Sequence, residues 1–125
     1  MLVLAVEGCQ SLEMLGPVEV FHHVSLEVPD AYQVSVVGPS DAETVTTDSG
    51  QRLGVAPLPE PPPRHDTLLV AGGPGARAAI TDQAIVNWVL RASRRARRTV
   101  SVCTGAYLLA AAGLLNDRRA TTHWA

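Results

Sequence analysis

Leu2-Val3-Leu4-Ala5-Val6 is an unbroken apolar run ended by Glu7, the pattern of a strand covered on both faces. Gly8 to Ser11 predicts a turn. From there apolar residues recur at Leu12, Leu15, Val18, Phe21 and Val24. That spacing predicts a helix with one buried face, capped by Ser11, with Pro17 early enough that its missing N–H costs little. Tyr32 to Val37 alternates and predicts a second strand. Thr44 to Thr47 and Arg52 to Val55 flank Asp48-Ser49-Gly50, which predicts a small hairpin or flap. Pro57, Pro59, Pro61, Pro62 and Pro63 form a stiff extended connector, too short for a domain boundary. Thr67 to Ala71 is another buried strand, closed by the tight turn Gly72-Gly73-Pro74-Gly75. Ile85, Trp88, Val89 and Ala92 recur at three and four, which predicts a helix from Asp82 to about Arg95. Thr99 to Val102 is a strand with Cys103-Thr104-Gly105 directly behind it, and Tyr107 to Ala112 is helical up to Gly113.

Strands alternating with helices predict an α/β fold: one domain over residues 1 to 125, three-layered, doubly wound on a mainly parallel sheet, flavodoxin-like in plan. Composition agrees, since 46% apolar and 18% charged residues describe a globular chain rather than a disordered one. The basic residues are all arginine, ten against twelve acidic residues, for a net charge of −2. That balance argues against a nucleic-acid platform. Cys9 and Cys103 could form one bridge at most, and none is expected, because no export signal precedes them. No apolar window reaches the length of a membrane span. The expected setting is cytoplasmic, with no membrane contact.

In sheets of this kind ligands bind at the carboxyl ends of the strands. Three such ends carry unusual chemistry: Gly8-Cys9-Gln10-Ser11-Leu12-Glu13, Gly72-Gly73-Pro74-Gly75 and Cys103-Thr104-Gly105. Cys103 follows a buried strand and opens a helix, the layout of a nucleophile elbow. Free N–H groups and the positive dipole end there predict a lowered thiol pKa and a Cys103 far more reactive than Cys9. The N–H groups of Thr104 and of the Gly73 turn are candidate oxyanion donors. The competing reading is a buried cysteine acting as a small hydrophobe, which is also the expectation for Cys9. Other features are weaker. His22 and His23 point apart on a helix, so no metal site is expected, and Glu19 lies four before His23 as a surface partner. Arg91, Arg94, Arg95 and Arg98 are expected on one solvated helical face. The glycine turn lacks the Lys-Ser or Lys-Thr of a phosphate loop. Tyr107 and Trp124 are divided between pocket lining and core packing.

Ser101-Val102-Cys103-Thr104-Gly105-Ala106, Ala112-Gly113-Leu114-Leu115, Arg118 to Trp124, Leu69 to Gly75 and Leu12 to Phe21 together resemble the ThiJ/PfpI superfamily, the class I glutamine-amidotransferase-like fold. The pattern is most similar to the amino-terminal domain of GlxA-like, AraC-family transcription regulators, and isocyanide hydratases share nearly the same motifs. The resemblance implies that Cys103 is the nucleophile and Glu13 the acidic residue hydrogen-bonded to it. It further implies that Gly73 supplies a backbone N–H and that His123 borders the pocket. The protease branch has His directly after its Cys. Thr104 stands there in this chain, which speaks against proteolysis.

The implied function is a ligand- or redox-sensing regulatory domain that binds a small molecule, needs no cofactor, forms a homodimer and makes no direct nucleic-acid contact. The alternative is a cysteine-dependent hydratase, with Cys103 attacking an electrophilic carbon and Glu13 as general acid. The family domain continues past the Thr-Thr-His-Trp segment, so the chain is expected to be a truncated domain without a DNA-binding module.

Overall fold

The computed structural model describes residues 1–39 and 43–124. Five parallel strands form its centre: β1 (Leu2–Leu4), β2 (Ser35–Gly38), β5 (Ala56–Pro57), β6 (His65–Val70) and β7 (Ala96–Ser101). Their order is β5-β2-β1-β6-β7. Leu4 lies opposite Val37 on one side and Val70 on the other. β3 (Thr44–Thr46) and β4 (Arg52–Gly54) make the separate antiparallel hairpin. The helices are α1 (Ser11–Glu27), α2 (Pro74–Ala78), α3 (Gln83–Ser93) and α4 (Gly105–Ala111), with one 3-10 turn at Ala79–Thr81. This is the doubly wound α/β architecture of flavodoxin-like folds.

Strand pleating divides the core in two. Leu2, Leu4, Val6, Leu68 and Val70 face α2, α3 and α4 and pack with Ile85, Trp88, Val89, Leu108 and Leu109. Val3, Ala5, Leu69 and Ala71 face the other way, onto Met14 of α1 and onto Val45 and Val55 of the hairpin region. Trp88 is buried, and its indole N–H donates to the Pro59 carbonyl at 3.0 Å. The proline connector is thereby tied down, and its first residues form β5 at the sheet edge beside β2. Proline tolerates an edge because it has no N–H to leave unpaired.

Helix α1 departs from the expected face. Met14 is its one buried residue, whereas Leu12 is 74% exposed and Val24 39%. A helix turns about 100° per residue, so a strict step of three drifts backward by about 60° each time. Four such steps sweep round the cylinder instead of holding a stripe. Gln10, in extended conformation, precedes the helix in the cap position, and Ser11 is its first turn rather than its cap. At α3 the cap is Asp82, whose carboxylate accepts from the N–H groups of Ala84 and Ile85.

The arginines do not share one helical face. α3 ends at Ser93, Arg94 and Arg95 lie beyond it, and Arg98 is in β7. Asp66 accepts from Arg97 Nε at 2.5 Å and from Arg98 Nη2 at 3.3 Å. These partners hold its carboxyl well below the usual carboxylate range, Arg97 most of all. Arg91 instead pairs with Glu60 on the connector.

Two expectations follow. Leu4→Ala should cost about 2–5 kcal/mol in urea unfolding, while Leu12→Gln should stay within about 0.5 kcal/mol. A Leu12 loss as large as that of Leu4 would show that this face of α1 is covered in solution. The lowered Asp66 pKa stabilises the fold above the unfolded carboxyl value of about 3.9, and that contribution is lost as pH falls. Asp66→Asn should therefore flatten the acid limb of a stability-against-pH curve. An unchanged limb would show that the pair contributes nothing.

Candidate active site

The carboxyl ends of β1, β6 and β7 meet in one place because their loops are tied to each other through hydrogen bonds. The Gln10 N–H donates to Gly72 O at 3.0 Å, joining the loop after β1 to the glycine turn after β6. The Gly73 N–H donates to Thr104 Oγ1 at 2.8 Å, and that hydroxyl donates back to Gly73 O at 2.9 Å. Thr104 is buried, so this double contact is shielded from water. At the hairpin, the Asp48 N–H donates to Cys9 O and the Gly8 N–H to Thr46 O. Beyond α4, Thr122 Oγ1 donates to Cys103 O at 2.6 Å and brings His123 alongside.

Two glycines make this closeness feasible. A Cβ on Gly72 would run into Glu13 Oε2 and lie 2.7 Å from Val102 O and 2.8 Å from Thr104 N. Gly73 has φ +113°, a conformation that side chains rarely adopt. Cys103 itself has φ +48° between β7 and α4. A non-glycine residue in that region is uncommon and costs roughly 1–3 kcal/mol, which the surrounding contacts must offset.

The resulting cleft, about 420 Å³, is lined by Gln10, Glu13, Asp48, Gly73, Pro74, Arg77, Cys103, Thr104 and His123. All five residues singled out from the sequence are therefore brought together. Three expectations change in detail. The Gly73 N–H is already taken by Thr104 and is not a free oxyanion donor. The Cys103 thiol is pushed up rather than down: burial acts first, then the Glu13 carboxylate, against the Thr104 N–H, which lowers it. Finally, neither Tyr107 nor Trp124 lines the cleft. Tyr107 carries the Arg77 guanidinium 5.0 Å above its ring, and Trp124 is 90% exposed and stacked on His123. Cys9 is buried in the core, and burial raises its thiol as well.

Asp48, Arg77 and Thr122 were not singled out from the sequence as site residues. Each reaches the site only because the hairpin, α2 or the final segment folds back over it. A larger groove, about 810 Å³, opens among Met1, Tyr32, Asp66 and Arg97, but no cysteine lines it. Among the described residues no three of His, Cys, Asp and Glu gather as metal ligands would, and no helix is long and apolar enough to cross a membrane.

The sequence profile of the DJ-1/PfpI family matches residues 1–125. The chain belongs to the DJ-1/PfpI family. It is 37% identical over 122 residues to an uncharacterized protein from the cpoL 5' region of Streptomyces lividans, covering 98% of this chain and 85% of that protein. It is 37% identical over 116 residues to the isonitrile hydratase of Pseudomonas putida, covering 93% of this chain and 48% of the hydratase. The HTH-type transcriptional regulator GbdR of Pseudomonas aeruginosa is 31% identical over 123 residues, 98% of this chain and 30% of the regulator. A ThiJ/PfpI family protein from Pseudomonas syringae superposes with TM-score 0.82 at 28% identity, over 99% of this chain and 50% of that one. The chain thus spans about half the length of the hydratase and under a third of the regulator.

Within this DJ-1/PfpI domain, Gly72→Ala should force the Glu13 carboxylate off the sulfur. Stability should fall by about 1–3 kcal/mol from overpacking, and the Cys103 alkylation profile should move to lower pH. An unshifted profile would show that Glu13 does not govern the thiol.

Proposed function

We propose that this DJ-1/PfpI domain is a small-molecule- or redox-sensing regulatory domain whose reactive group is Cys103. The observation that carries the reading is the cleft itself. One strained, half-buried cysteine sits where three strand ends converge, with a carboxylate at its side and room for a small ligand. Kinship with HTH-type regulators supports the regulatory role. The face of α1 left uncovered supports a homodimer as the assembled state.

Glu13 Oε2 is buried and accepts no hydrogen bond from the described residues. In this reading it receives the thiol proton. As the sulfur bonds to an electrophile, the S–H proton passes to Glu13, so no isolated thiolate has to persist beside a carboxylate. With a hydroperoxide as electrophile, the sulfur takes one oxygen as the O–O bond breaks, and Glu13 returns its proton to the leaving oxygen, so that sulfenic acid and an alcohol or water result. The Thr104 N–H, directed at the sulfur, steadies the charge that passes through it.

The hydratase reading has its own support in the P. putida relative and in the Glu13–Cys103 pairing. There the sulfur would bond to the isonitrile carbon, Glu13 would return its proton to the substrate as a general acid, and water would displace the sulfur. Turnover of an isonitrile by the purified chain separates the two readings.

The thiol chemistry is tested by iodoacetamide labelling against pH, with mass spectrometry reporting each cysteine. Cys103 should label ahead of Cys9 throughout, with its rate rising on the alkaline side of the ordinary thiol range. Glu13→Gln removes the carboxylate that raises the thiol, so its profile should shift to lower pH. Equal labelling of the two cysteines, or a Glu13→Gln profile shifted upward, would overturn this assignment.

A further inference from the structure

The cleft also contains charges that the thiol chemistry does not use. Arg77, at the end of α2, lines the same cleft as Cys103. It forms no ion pair with any described residue, and its guanidinium is held over the Tyr107 ring. Contact with an aromatic face fixes a guanidinium without neutralising it. By contrast, Arg91, Arg97 and Arg98 each face a carboxylate. Arg77 is therefore a positioned cation at the mouth of the cysteine cleft, with no direct ion-pair partner among the described residues.

The other charges narrow what it can receive. Asp48 comes from the hairpin and Glu13 from α1, and both line the cleft. The Asp48 side chain has no hydrogen-bond or ion-pair partner among the described residues. Two carboxylates against one guanidinium disfavour a dianion such as phosphate. A single carboxylate matches the planar fork of an arginine. Its opposite end, towards Asp48, must be neutral or cationic.

We propose that Arg77 is the specificity-determining residue of the cleft and selects ligands bearing one carboxylate, held so that their remainder lies against Cys103. The inference rests on the reading of Cys103 as the reactive thiol and adds the chemical class of what reaches it. Carboxylate selection orients the ligand, because the acidic Glu13 and Asp48 side repels the same group.

Iodoacetate and iodoacetamide make a matched pair of probes. Both alkylate by the same displacement, the sulfur bonding to carbon as iodide leaves, and they differ only in a carboxylate against a neutral amide. The readout is the ratio of their rates at Cys103, so any change in the thiol itself cancels within each variant. Arg77→Gln should lower the iodoacetate-to-iodoacetamide ratio about three- to tenfold, the range for one charge acting across a solvated cleft. Arg77→Lys, which keeps the charge but loses the fork, should preserve only part of the ratio, Asp48→Asn should raise it, and high salt should compress the wild-type preference. Propionate at matched ionic strength should protect wild-type Cys103 from iodoacetamide, and do so less in Arg77→Gln. Equal ratios in wild type and Arg77→Gln, with Cys103 still alkylated by iodoacetamide, would overturn the carboxylate assignment alone. Stronger protection by inorganic phosphate than by propionate would overturn its restriction to a monocarboxylate. A Cys103 that takes neither reagent would overturn the thiol reading and this inference with it.

Discussion

The buried exchange between the Thr104 hydroxyl and both backbone groups of Gly73 holds the site together. The side chain satisfies an N–H that would otherwise be stranded away from water, at a cost of roughly 1–3 kcal/mol, and gives the carbonyl a second donor beside the Ala76 N–H. It binds the turn after β6 to the turn after β7. The Gln10 N–H to Gly72 O contact then extends the tie to the loop after β1, and the Asp48 N–H to Cys9 O contact extends it to the hairpin. Cys103 can be held at φ +48° because this succession of contacts surrounds it.

The glycines are the steric counterpart of those bonds. Loops can hydrogen-bond at this range only where side chains are missing, and Gly72 leaves room for nothing beyond the Glu13 carboxylate. The bare Gly72 backbone leaves the carboxylate its place beside the sulfur. The carboxylate's proximity raises the thiol instead of lowering it. The proposed sensing role fits such a thiol, since a raised pKa holds it protonated until an electrophile enters the cleft.

Much of this was legible in the chain. Unbroken apolar runs marked β1 and β6 because strands covered on both faces need no polar positions. The three strand-end motifs were visible since cysteine, glycine and threonine at a strand-to-helix junction have few other uses. Helix α1 misled, because apolar spacing does not reveal which side of a helix the sheet will meet. Arg98 was misplaced for a related reason: a row of arginines fits a solvated helix and a solvated edge strand equally well.

By itself the sequence determined the parallel α/β plan, the two faces of its core, and the junctions where Cys103, Glu13, Gly73, Thr104 and His123 sit. The plan and the Cys103, Gly73 and Thr104 junctions follow from local periodicity and from residue types with narrow conformational uses, while Glu13 and His123 were picked out by the family resemblance. Tertiary structure alone decided that Arg77 and Asp48 share the cleft with Cys103, that Thr104 occupies the Gly73 N–H, and that Glu13 raises the thiol. Each depends on segments dozens of residues apart coming within a few ångströms. Electrostatic and hydrogen-bond energies are set by such distances, and no local pattern along the chain encodes them.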